Sequence, residues 1–598
     1  MGAALALMAQ MCADVVLRDK MINAGIVQRA IPLLQYNATR KIALGALAIL
    51  TQFKSSTATT HLIALSSPEL ASLALSRPED CPTVELVVIV LAQTLRVTLI
   101  AADLPSASFL ERLQLPTVVE AIQSILRRPR VSFSIITHAI DMFAALTLYR
   151  PPPRMDMPSL TPFLTAFARC NNIRTRAIAI SGVMRLPVTE NPGIPPLFSQ
   201  SRLEESVHRG VPEHLACPLM EFGPGPMKTD ILVIIDSSYK YRCAMAEAEA
   251  NRESDLCSLG RRLADLVQVH DFAIGDKLVD ISPSQHPPRT APFTSWIDCL
   301  HLCSQALRSQ LNPSLTDLDA ADVLEMRFLY YRGHLDSVFS IARAAIQRSP
   351  DLAYAYFFLG MQDGREESLR MARRGLLCPQ MTPFVRTQLL CRTATHAAHL
   401  GFALLRSPSP YGIEEGVALV EAALHDTDTF LEEASPDNLW RLLILDWKII
   451  LTVLTKGPEL SHELSELEFI EFIGYDIAPR QLNAARDLLL SSSTSGYQEW
   501  DHVVKRYDEF DRSLRTYAQS PVPDLWFTQI GSCNVEYMPQ RDDHTFRLHP
   551  SEMYKCSWCN KPSSVLRKCG RCGQTVYCNS NCQRLHWDTH KAACVRGL

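Results

Sequence analysis

Apolar residues recur at helical spacing through the first part of the chain. Between Lys41 and Phe53 they fall on one broad helical face, made by Ile42, Leu44, Ala46, Leu47, Ile49 and Leu50. Similar apolar runs follow at 84–102, 117–127 and 133–149. The pattern predicts successive packed helices over 1–185.

The first of these helical units has a repeat-like signature. Residues 24–53 read AGIVQRAIPLLQYNATRKIALGALAILTQF. This segment resembles an armadillo-type repeat, in which a small residue lets helices pack closely and a proline begins a helix. Because only this first unit shows the pattern clearly, an irregular helical bundle is the alternative for 1–185.

Proline and glycine interrupt the helical pattern in the middle of the chain. Prolines cluster at 151–162, and proline and glycine alternate again between 187 and 196 and at 223–226. Such segments cannot continue a helix. Residues 186–291 are therefore predicted to be a linker with an irregular helical segment, in which Ile231–Ile235 begins either a short strand or a helix.

A second helical region is predicted over 292–520. Its signature begins with Gly333 before a helix and the small residues Ala342 and Ala345 within that helix. Pro350 follows the helix, and the next helix contains an aromatic-x-x-Leu-Gly sequence at 356–360. This resembles a tetratricopeptide repeat (TPR), and a shortened second unit ends at Pro379. Further helical patterns occupy 382–405, 411–425, 437–455 and 479–491.

Composition bears on the cellular compartment. The 598 residues are 47 % apolar and 20 % charged, as in soluble globular proteins. The apolar N-terminus has no basic segment before it, so we expect no secretory signal. Glu85, Gln93 and Arg96 interrupt the most apolar run, which predicts a buried helix and no membrane span. Scattered unpaired cysteines require a reducing compartment, so an intracellular protein of the cytoplasm or nucleus is predicted.

Charge is unevenly distributed along the chain. Residues 556–598 contain seven Lys or Arg and one acid, Asp588, so this tail carries six positive charges; since the whole chain has −4, the remainder carries −10. An acidic body argues against a long nucleic-acid track on the helices. Nucleic acid is not an expected partner, although the basic tail leaves a transcription-associated nucleic-acid-binding regulator as an alternative.

The C-terminal segment holds four pairs of metal ligands. The pairs are Cys556-x2-Cys559, Cys569-x2-Cys572, Cys578-x3-Cys582 and His590-x3-Cys594. Four Cys or His ligands complete a tetrahedral structural site for Zn²⁺, so eight predict two structural Zn²⁺ ions. A closed site leaves no coordination position for a substrate, which indicates a scaffold and not a catalytic centre.

This segment resembles the MYND-type zinc finger, both in its eight ligands and in three further positions. Tyr577 directly precedes Cys578, Gln583 directly follows Cys582, and Trp587 lies three residues before His590. The resemblance implies two interleaved sites. One consists of Cys556, Cys559, Cys578 and Cys582, and the other of Cys569, Cys572, His590 and Cys594.

Two details of the finger follow from its residue types. Gly570 and Gly573 are expected to give the backbone freedom that the second Cys-x2-Cys turn needs. His586 lies four residues from both Cys582 and His590. Because eight ligands already complete two sites, His586 is expected at the surface or beside the ligands, with a spare ligand as the alternative.

The resemblance also implies a partner class. MYND fingers bind short proline-containing peptides, often Pro-x-Leu-x-Pro, which points to Tyr577, Gln583 and Trp587 as peptide-binding residues. The alternative is that Tyr577 and Trp587 only pack the small core. The chain has its own match at Pro158-Ser159-Leu160-Thr161-Pro162, which either docks on the finger and masks it or occurs by chance.

Catalytic signatures are weak. Lysine methyltransferases that embed a MYND finger in a SET domain place the finger early, whereas here four residues follow Cys594, and we find no Asn-His-x-Cys-type motif. The segment 223–229 lacks the glycine that precedes the lysine of a phosphate loop, and His462-Glu463 lacks the second histidine of a metalloprotease helix. The chain is therefore predicted not to be an enzyme, and no small-molecule substrate is evident.

Together these patterns predict a mainly α protein, a helical-repeat solenoid or bundle with a small two-zinc finger. The predicted parts are an armadillo-like region (1–185), a linker (186–291), a TPR-like region (292–520), a connecting loop (521–555) and the MYND-type finger (556–594). The predicted function is a zinc-binding protein–protein interaction adaptor. A relative of the MYND/SET methyltransferases and the nucleic-acid-binding regulator are the alternatives.

Overall fold

A computed structural model describes most of the chain, namely residues 7–8, 11, 14–52, 57–100, 106–147, 160–184, 219, 222, 229–250, 255–270, 296–362, 364–407, 412–461, 498–515, 554–559, 562–563 and 566–594. In these residues the protein is mainly α-helical, with short strands in the C-terminal finger, which confirms the predicted fold class. The type of helical repeat stays a prediction. Two compact units are formed, 1–172 with 495–598 and 173–494.

The first unit begins with a run of helices and one 3₁₀ turn. Their bounds are α1 Val15–Asn23, α2 Ile26–Ala30, the turn Ile31–Gln35, α3 Asn37–Gln52, α4 Thr57–Ala64, α5 Ser67–Ser76, α6 Cys81–Ile100, α7 Ala107–Arg112, α8 Leu115–Leu126, α9 Phe133–Leu146 and α10 Leu160–Phe167. The armadillo-like segment maps onto α2, the 3₁₀ turn and α3. Pro32 stands at the start of the turn, and Gly25 enters α2 with a φ of +79° that favours glycine.

Helix α6 is the central element of this run. It packs against α3, α4, α5 and α9, and its side chains Val87, Leu91 and Leu95 are fully buried. The window Cys81–Leu99 is long and apolar enough to cross a membrane, the one such window in the described residues, and 61 % of it is buried within the protein. Burial by neighbouring helices accounts for its apolar sequence.

A helical segment at 498–515, far along the chain, belongs to the first unit. The indole of Trp500 is fully buried and meets Phe163 edge-on with ring centroids 5.1 Å apart. Tyr507 stacks on Phe133 at 5.1 Å. Aromatic packing of this kind stabilises through large buried area, and it joins residues that the sequence pattern had placed in the TPR-like region to the N-terminal helices.

The chain's own Pro-x-Leu-x-Pro match lies at the start of α10. Pro158 and Ser159 fall outside the described residues, whereas Leu160 is 1 % exposed and Thr161 is also buried. A peptide ligand must present its leucine to the receptor. Leu160 instead contributes to the core of the first unit, which favours chance occurrence over docking on the finger.

The second unit contains the remaining large helices. Their bounds are α11 Ile173–Val183, α12 Asp230–Ala250, α13 Leu256–Val267, α14 Trp296–Arg308, α15 Leu315–Tyr331, α16 Leu335–Arg348, α17 Ala353–Leu359, α18 Arg365–Gly375, α19 Pro383–Arg406, α20 Gly412–Glu433 and α21 Arg441–Lys456, followed by a 3₁₀ turn Gly457–Glu459. Helix α11, which the sequence pattern grouped with 1–185, packs here against α19 and α21. Ile231–Ile235 lies in α12, so the helical alternative is correct.

Consecutive helices from α14 to α19 pack against one another. The predicted repeat features have clear roles in this stack. Gly333 has a φ of +76° and reverses the chain between α15 and α16, and Ala342 and Ala345 of α16 are fully buried. Helices α19 and α20 lie close together at Gly401, where a Cβ would lie 2.7 Å from Val420 Cγ2. The predicted helices at 382–405, 411–425 and 437–455 correspond to α19, α20 and α21 and are confirmed, whereas 479–491 lies outside the described residues.

The C-terminal finger consists of two short antiparallel strand pairs and one helix. Strand β1 Tyr554–Lys555 pairs with β2 Pro562–Ser563, and β3 Arg567–Lys568 pairs with β4 Val576–Tyr577. Helix α22 Ser580–His590 follows. Residues 521–553 of the predicted connecting loop lie outside the described residues.

Candidate metal centre

The finger brings its eight potential ligands into two groups of four. Cys556, Cys559, Cys578 and Cys582 form one group, and Cys569, Cys572, His590 and Cys594 form the other. Within each group the ligand atoms lie within 4.8 Å of one another. These are the interleaved sets that the sequence resemblance implies.

The spacing of the donor atoms fits tetrahedral zinc. Zn–S bonds of about 2.3 Å and Zn–N bonds of about 2.0–2.1 Å place two sulfurs about 3.8 Å apart and a sulfur and a nitrogen about 3.6 Å apart. Cys559 Sγ and Cys578 Sγ are 3.6 Å apart in the first group. In the second group Cys569 Sγ and Cys594 Sγ are 3.9 Å apart, and Cys572 Sγ lies 3.5 Å from His590 Nε2. The two groups therefore form a Cys₄ and a Cys₃His site, which fit two structural Zn²⁺ ions.

A tight turn presents the second Cys-x2-Cys pair. The amide of Gly573 donates to the carbonyl of Cys569 at 2.9 Å, and the amide of Cys569 donates to the carbonyl of Thr575 at 2.8 Å. Gly573 has a φ of +68°, a backbone conformation that glycine adopts without strain. Gly570 does not have a positive φ, so of the two glycines expected to be needed only Gly573 meets a conformational requirement.

Helix α22 supplies ligands to both sites. The side chain of Asn579 caps its first turn by accepting a hydrogen bond from the amide of Cys582 at 2.9 Å. Cys582 and His590 lie eight residues apart on this helix and enter different groups. One short helix therefore ties the Cys₄ and Cys₃His sites together.

Hydrogen-bond donors favour the thiolate form at one cysteine of each group, Cys556 and Cys572. Burial alone would raise the pKa of Cys556, but amides of residues 558, 559 and 578 outweigh it and lower this pKa to about 6. The pKa of Cys572 falls to about 5, chiefly through the Thr575 hydroxyl and then through the amides of Thr575 and Gln574. A thiolate is the form that binds zinc.

Three other cysteines, Cys578, Cys582 and Cys594, have the opposite shift. Burial, with the neighbouring cysteine sulfurs, raises the pKa of Cys578, and raises the pKa values of Cys582 and Cys594 to about 11. Four sulfurs packed together without a cation repel one another's negative charge. A dication at the centre of each group removes this repulsion, so the electrostatics fit metal as well as the distances do.

His586 lies outside both ligand groups, although its position in the sequence left a spare ligand open. Its Nδ1 is 3.0 Å from the hydroxyl of Tyr577, and its ring stacks on that of His590 with centroids 5.6 Å apart. His586 therefore supports a ligand and a buried tyrosine from beside the metal site.

The three residues expected to bind peptide have different surroundings. Tyr577 is 1 % exposed, which favours the alternative that it packs the finger's core. Gln583 is half-buried, with Nε2 3.8 Å from Cys569 Sγ. Trp587 is 36 % exposed and meets the His590 ring edge-on.

Two further apolar side chains of the finger are exposed, and sequence reasoning missed both. Trp558 is 45 % exposed and Leu585 is 53 % exposed. Trp558 stands between two ligands, in Cys556-Ser-Trp-Cys559, and its indole centroid is 5.8 Å from that of His586. The sequence signal that could have identified Trp558 is a large side chain between the two cysteines of a Cys-x2-Cys turn. The two ligands turn the backbone around the metal and leave the side chain between them on the outside.

Comparison with known proteins agrees with this geometry. The family model of the MYND finger matches residues 556–594. These residues are a MYND finger. Similar curated proteins are the N-lysine methyltransferase SMYD2 of Bos taurus, 35 % identical over 83 residues, and that of Homo sapiens, 34 % identical over 83 residues. N-lysine methyltransferase SMYD2-B of Danio rerio is 44 % identical over 39 residues.

The similarity is local. The SMYD2 matches of Bos taurus and Homo sapiens cover 14 % of this chain and 17 % of the relatives' own length, and the Danio rerio match covers 6 % and 9 %. They lie in the region of the MYND finger. No solved structure matches the chain. The comparisons therefore support the finger and carry no argument about the helical units.

Proposed function

We propose that this protein is an interaction adaptor whose MYND finger docks proline-containing peptides of partner proteins. The observation that carries the proposal is a rigid pair of closed metal sites with an exposed indole beside them. All eight ligands are used within the two groups, so the metals serve structure. Trp587 presents an aromatic surface next to ligand His590, and aromatic surfaces on rigid supports recognise proline-rich segments well.

Within this proposal the three residues named from the sequence have separate roles. Trp587 and Gln583 contact the peptide, the first through its ring and the second through its side-chain amide. Tyr577 is buried and acts through His586, whose Nδ1 is 3.0 Å from its hydroxyl. Lys568, Arg571 and Arg584 are exposed on the finger, which favours peptides without a net positive charge.

Isothermal titration of a Pro-x-Leu-x-Pro peptide into the zinc-loaded full-length protein tests the proposal. Trp587→Ala is expected to weaken binding about tenfold or more, as loss of a central aromatic contact does. Leu585→Ala is the matched control, because it removes another exposed apolar side chain of the same helix, and its affinity should stay within about twofold of wild type. Equal affinities for wild type and Trp587→Ala, or no binding at all, would refute the peptide-docking role.

We also propose an intracellular location, in the cytoplasm or nucleus. The support is chemical: a thiolate zinc site and a buried free thiol, Cys391, persist in a reducing compartment. Imaging of the tagged full-length protein checks this, and recovery of the chain from the culture medium with oxidised cysteines would contradict it.

A methyltransferase role is the competing proposal. Its support is that the similar proteins are N-lysine methyltransferases, although the match spans 17 % or less of their length. We propose no enzymatic activity for this chain. The test is a methyl-transfer assay of the purified full-length chain on lysine-containing proteins. Activity that persists in both Trp587→Ala and Leu585→Ala would overturn that choice.

A further inference from the structure

A cleft opens on the second unit between helices α14, α15 and α16. Its volume is about 400 Å³, within the range of small-molecule sites. Helix α14 contributes His301 and Arg308, helix α15 contributes Asp322 and Glu325, and helix α16 contributes Ile341 and Arg348. All of these residues lie in one compact unit.

The acidic residues of the cleft are turned inward and already bonded. The side chain of Asp322 is 4 % exposed and accepts hydrogen bonds from Arg308 and, at 2.6 Å, from Arg348. The side chain of Glu325 is 15 % exposed and lies 2.9 Å from His301 Nδ1. Their negative charges hold the neighbouring cations in place and offer little to a ligand.

The arginines are the more exposed members of their pairs with Asp322. Arg308 is 39 % exposed and Arg348 is 27 % exposed. The buried Nε of Arg348 has no hydrogen-bond partner among the described residues. A buried donor left unpaired is costly, so the carboxylates paired with Arg348 do not use all of its hydrogen-bonding capacity. A ligand that enters the cleft therefore meets N–H donors first.

Part of the lining is apolar, although Ser304 and Gln305 of α14 add two polar side chains. Ile341 and Ala344 form the α16 side of the cleft. On the α14 side the ring of His301 stacks on Phe328, with centroids 4.7 Å apart, which fixes its orientation. The cleft thus combines positioned donors with an apolar wall, the composition of a site for a small polar-headed organic molecule.

We propose that this cleft binds a small organic anion, a carboxylate or phosphate group on an apolar body. The oxyanion lies against Arg308 and Arg348, whose planar guanidinium groups bind carboxylate and phosphate through paired N–H donors. The apolar body packs on Ile341 and Ala344. This site belongs to the helical body and is independent of the MYND finger and its proposed peptide docking.

Ligand-observed NMR titration of the zinc-loaded full-length protein tests the site with three probes. Benzoate and phenyl phosphate share an aromatic body and differ in the oxyanion, and benzyl alcohol is the neutral control. Binding of either anion with weaker binding of benzyl alcohol supports the proposal, and the tighter anion distinguishes carboxylate from phosphate. Equal binding of all three probes, or no binding, overturns it.

Charge changes at Gln305 give a sharper test. This exposed residue lines the cleft, and its Nε2 lies 2.8 Å from His301 Nε2. Both substitutions lose this contact, so the two variants differ in the sign of the added charge. Gln305→Lys is expected to tighten anion binding and Gln305→Glu to weaken it, each by about two- to fivefold, the size of one solvent-exposed charge pair. Effects of the same sign for both variants would overturn the electrostatic assignment.

Filling the cleft provides the last arm of the experiment. Ala344 is exposed at its rim, so Ala344→Phe is expected to abolish binding of the anions while thermal unfolding stays unchanged. Ala246→Phe, at another exposed helical position of the second unit, is the matched control and should bind as wild type does. Wild-type affinity in Ala344→Phe would place any bound anion elsewhere and overturn the proposal.

Discussion

The helical units and the MYND finger bury different kinds of side chain. In helix α17 of the second unit every residue from Ala353 to Leu359 is buried, including four large aromatics and a leucine. In the finger the buried cluster is Tyr577 with four cysteines, Cys556, Cys569, Cys572 and Cys594. A helical unit can therefore gain its stability from removing apolar surface from water, whereas the finger has too little apolar surface and depends on metal.

Loss of a zinc ligand is expected to have the largest effect. Cys556→Ser and Cys569→Ser should each remove one Zn²⁺ from the protein, counted by native mass spectrometry, because each site has four ligands and no substitute. The free energy lost by the finger is on the order of 10 kcal/mol. Helical circular dichroism at 222 nm should barely change.

The control for this pair is Cys81→Ser. Cys81 is an exposed cysteine of the first unit, so its replacement should leave two bound Zn²⁺ ions. A drop in zinc content in Cys81→Ser, or two zincs in Cys556→Ser, would break the assignment of the ligands.

Removal of Tyr577, a buried aromatic of the finger, should have the next largest effect. Tyr577→Ala deletes a fully buried ring and the contact to His586, so the free energy of finger unfolding should fall by about 3 kcal/mol. Tyr577→Phe keeps the ring and loses only the hydroxyl contact, which costs about 1 kcal/mol. Competition for zinc with a chelator measures both, and equal effects would contradict the packing role of the ring.

Glycine replacements test how closely the helical units are packed. A Cβ at Gly375 would lie 2.7 Å from Tyr356 Cβ and 3.0 Å from Leu389 Cδ1, so Gly375→Ala should destabilise the second unit by about 1–3 kcal/mol through overpacking. Gly45 lies inside α3 with no atom near such a Cβ, so Gly45→Ala should stabilise the first unit by about 0.5–1 kcal/mol. Urea unfolding checks both, and neither should alter zinc content.

A buried carboxyl makes the stability of the second unit depend on pH. Burial, and then the nearby Asp437, raise the pKa of Asp230 to about 6 from 3.8, although hydrogen bonds from Ser435 and Asn438 oppose the shift. The folded state therefore binds this proton more tightly than the unfolded chain, and the resulting stability is complete below pH 3.8 and lost as the pH rises through 6.

Replacement of Asp230 measures this pH-dependent contribution to stability, the smallest of the predicted effects. Asp230→Asn should stabilise the second unit by about 1 kcal/mol at pH 7.5 and by less at pH 5, because the wild-type carboxyl regains its proton as the pH falls. Asp236→Asn, on the same helix and paired with Lys240, is the control and should show no such difference between the two pH values in urea titrations. A larger gain for Asp230→Asn at pH 5 than at pH 7.5 would contradict the assigned direction.

The metal sites of the finger could be predicted almost completely from the sequence, because the spacing of the Cys and His residues determines which of them bind metal together. Pairs of Cys and His two or three residues apart leave few arrangements, and the two groups form as expected. Ligand spacing could not predict which side chains of the finger are exposed to solvent: Tyr577 is buried, whereas Trp558 is exposed. That difference depends on how the ligands turn the backbone around the metals.

The helical units were predictable in element type but not in grouping. Periodicity predicted α3, α6, α8, α9 and α19 to α21, because each buries an apolar face. It could not show that residues 498–515 pack with the first unit, since that depends on Trp500 and Tyr507 meeting phenylalanines more than 300 positions earlier. Nor could it place α11 beside α19, because long-range packing has no local signature.

Hydrogen–deuterium exchange of the full-length protein before and after zinc chelation tests the central claim most directly. Chelation is expected to raise exchange in 566–594 to that of an unfolded segment, while the amides of α14 to α21 keep their protection. Unchanged protection in 566–594 would show that the finger folds without metal. A parallel loss of protection in α14 to α21 would show that the helical unit also depends on zinc, and either result would contradict the account.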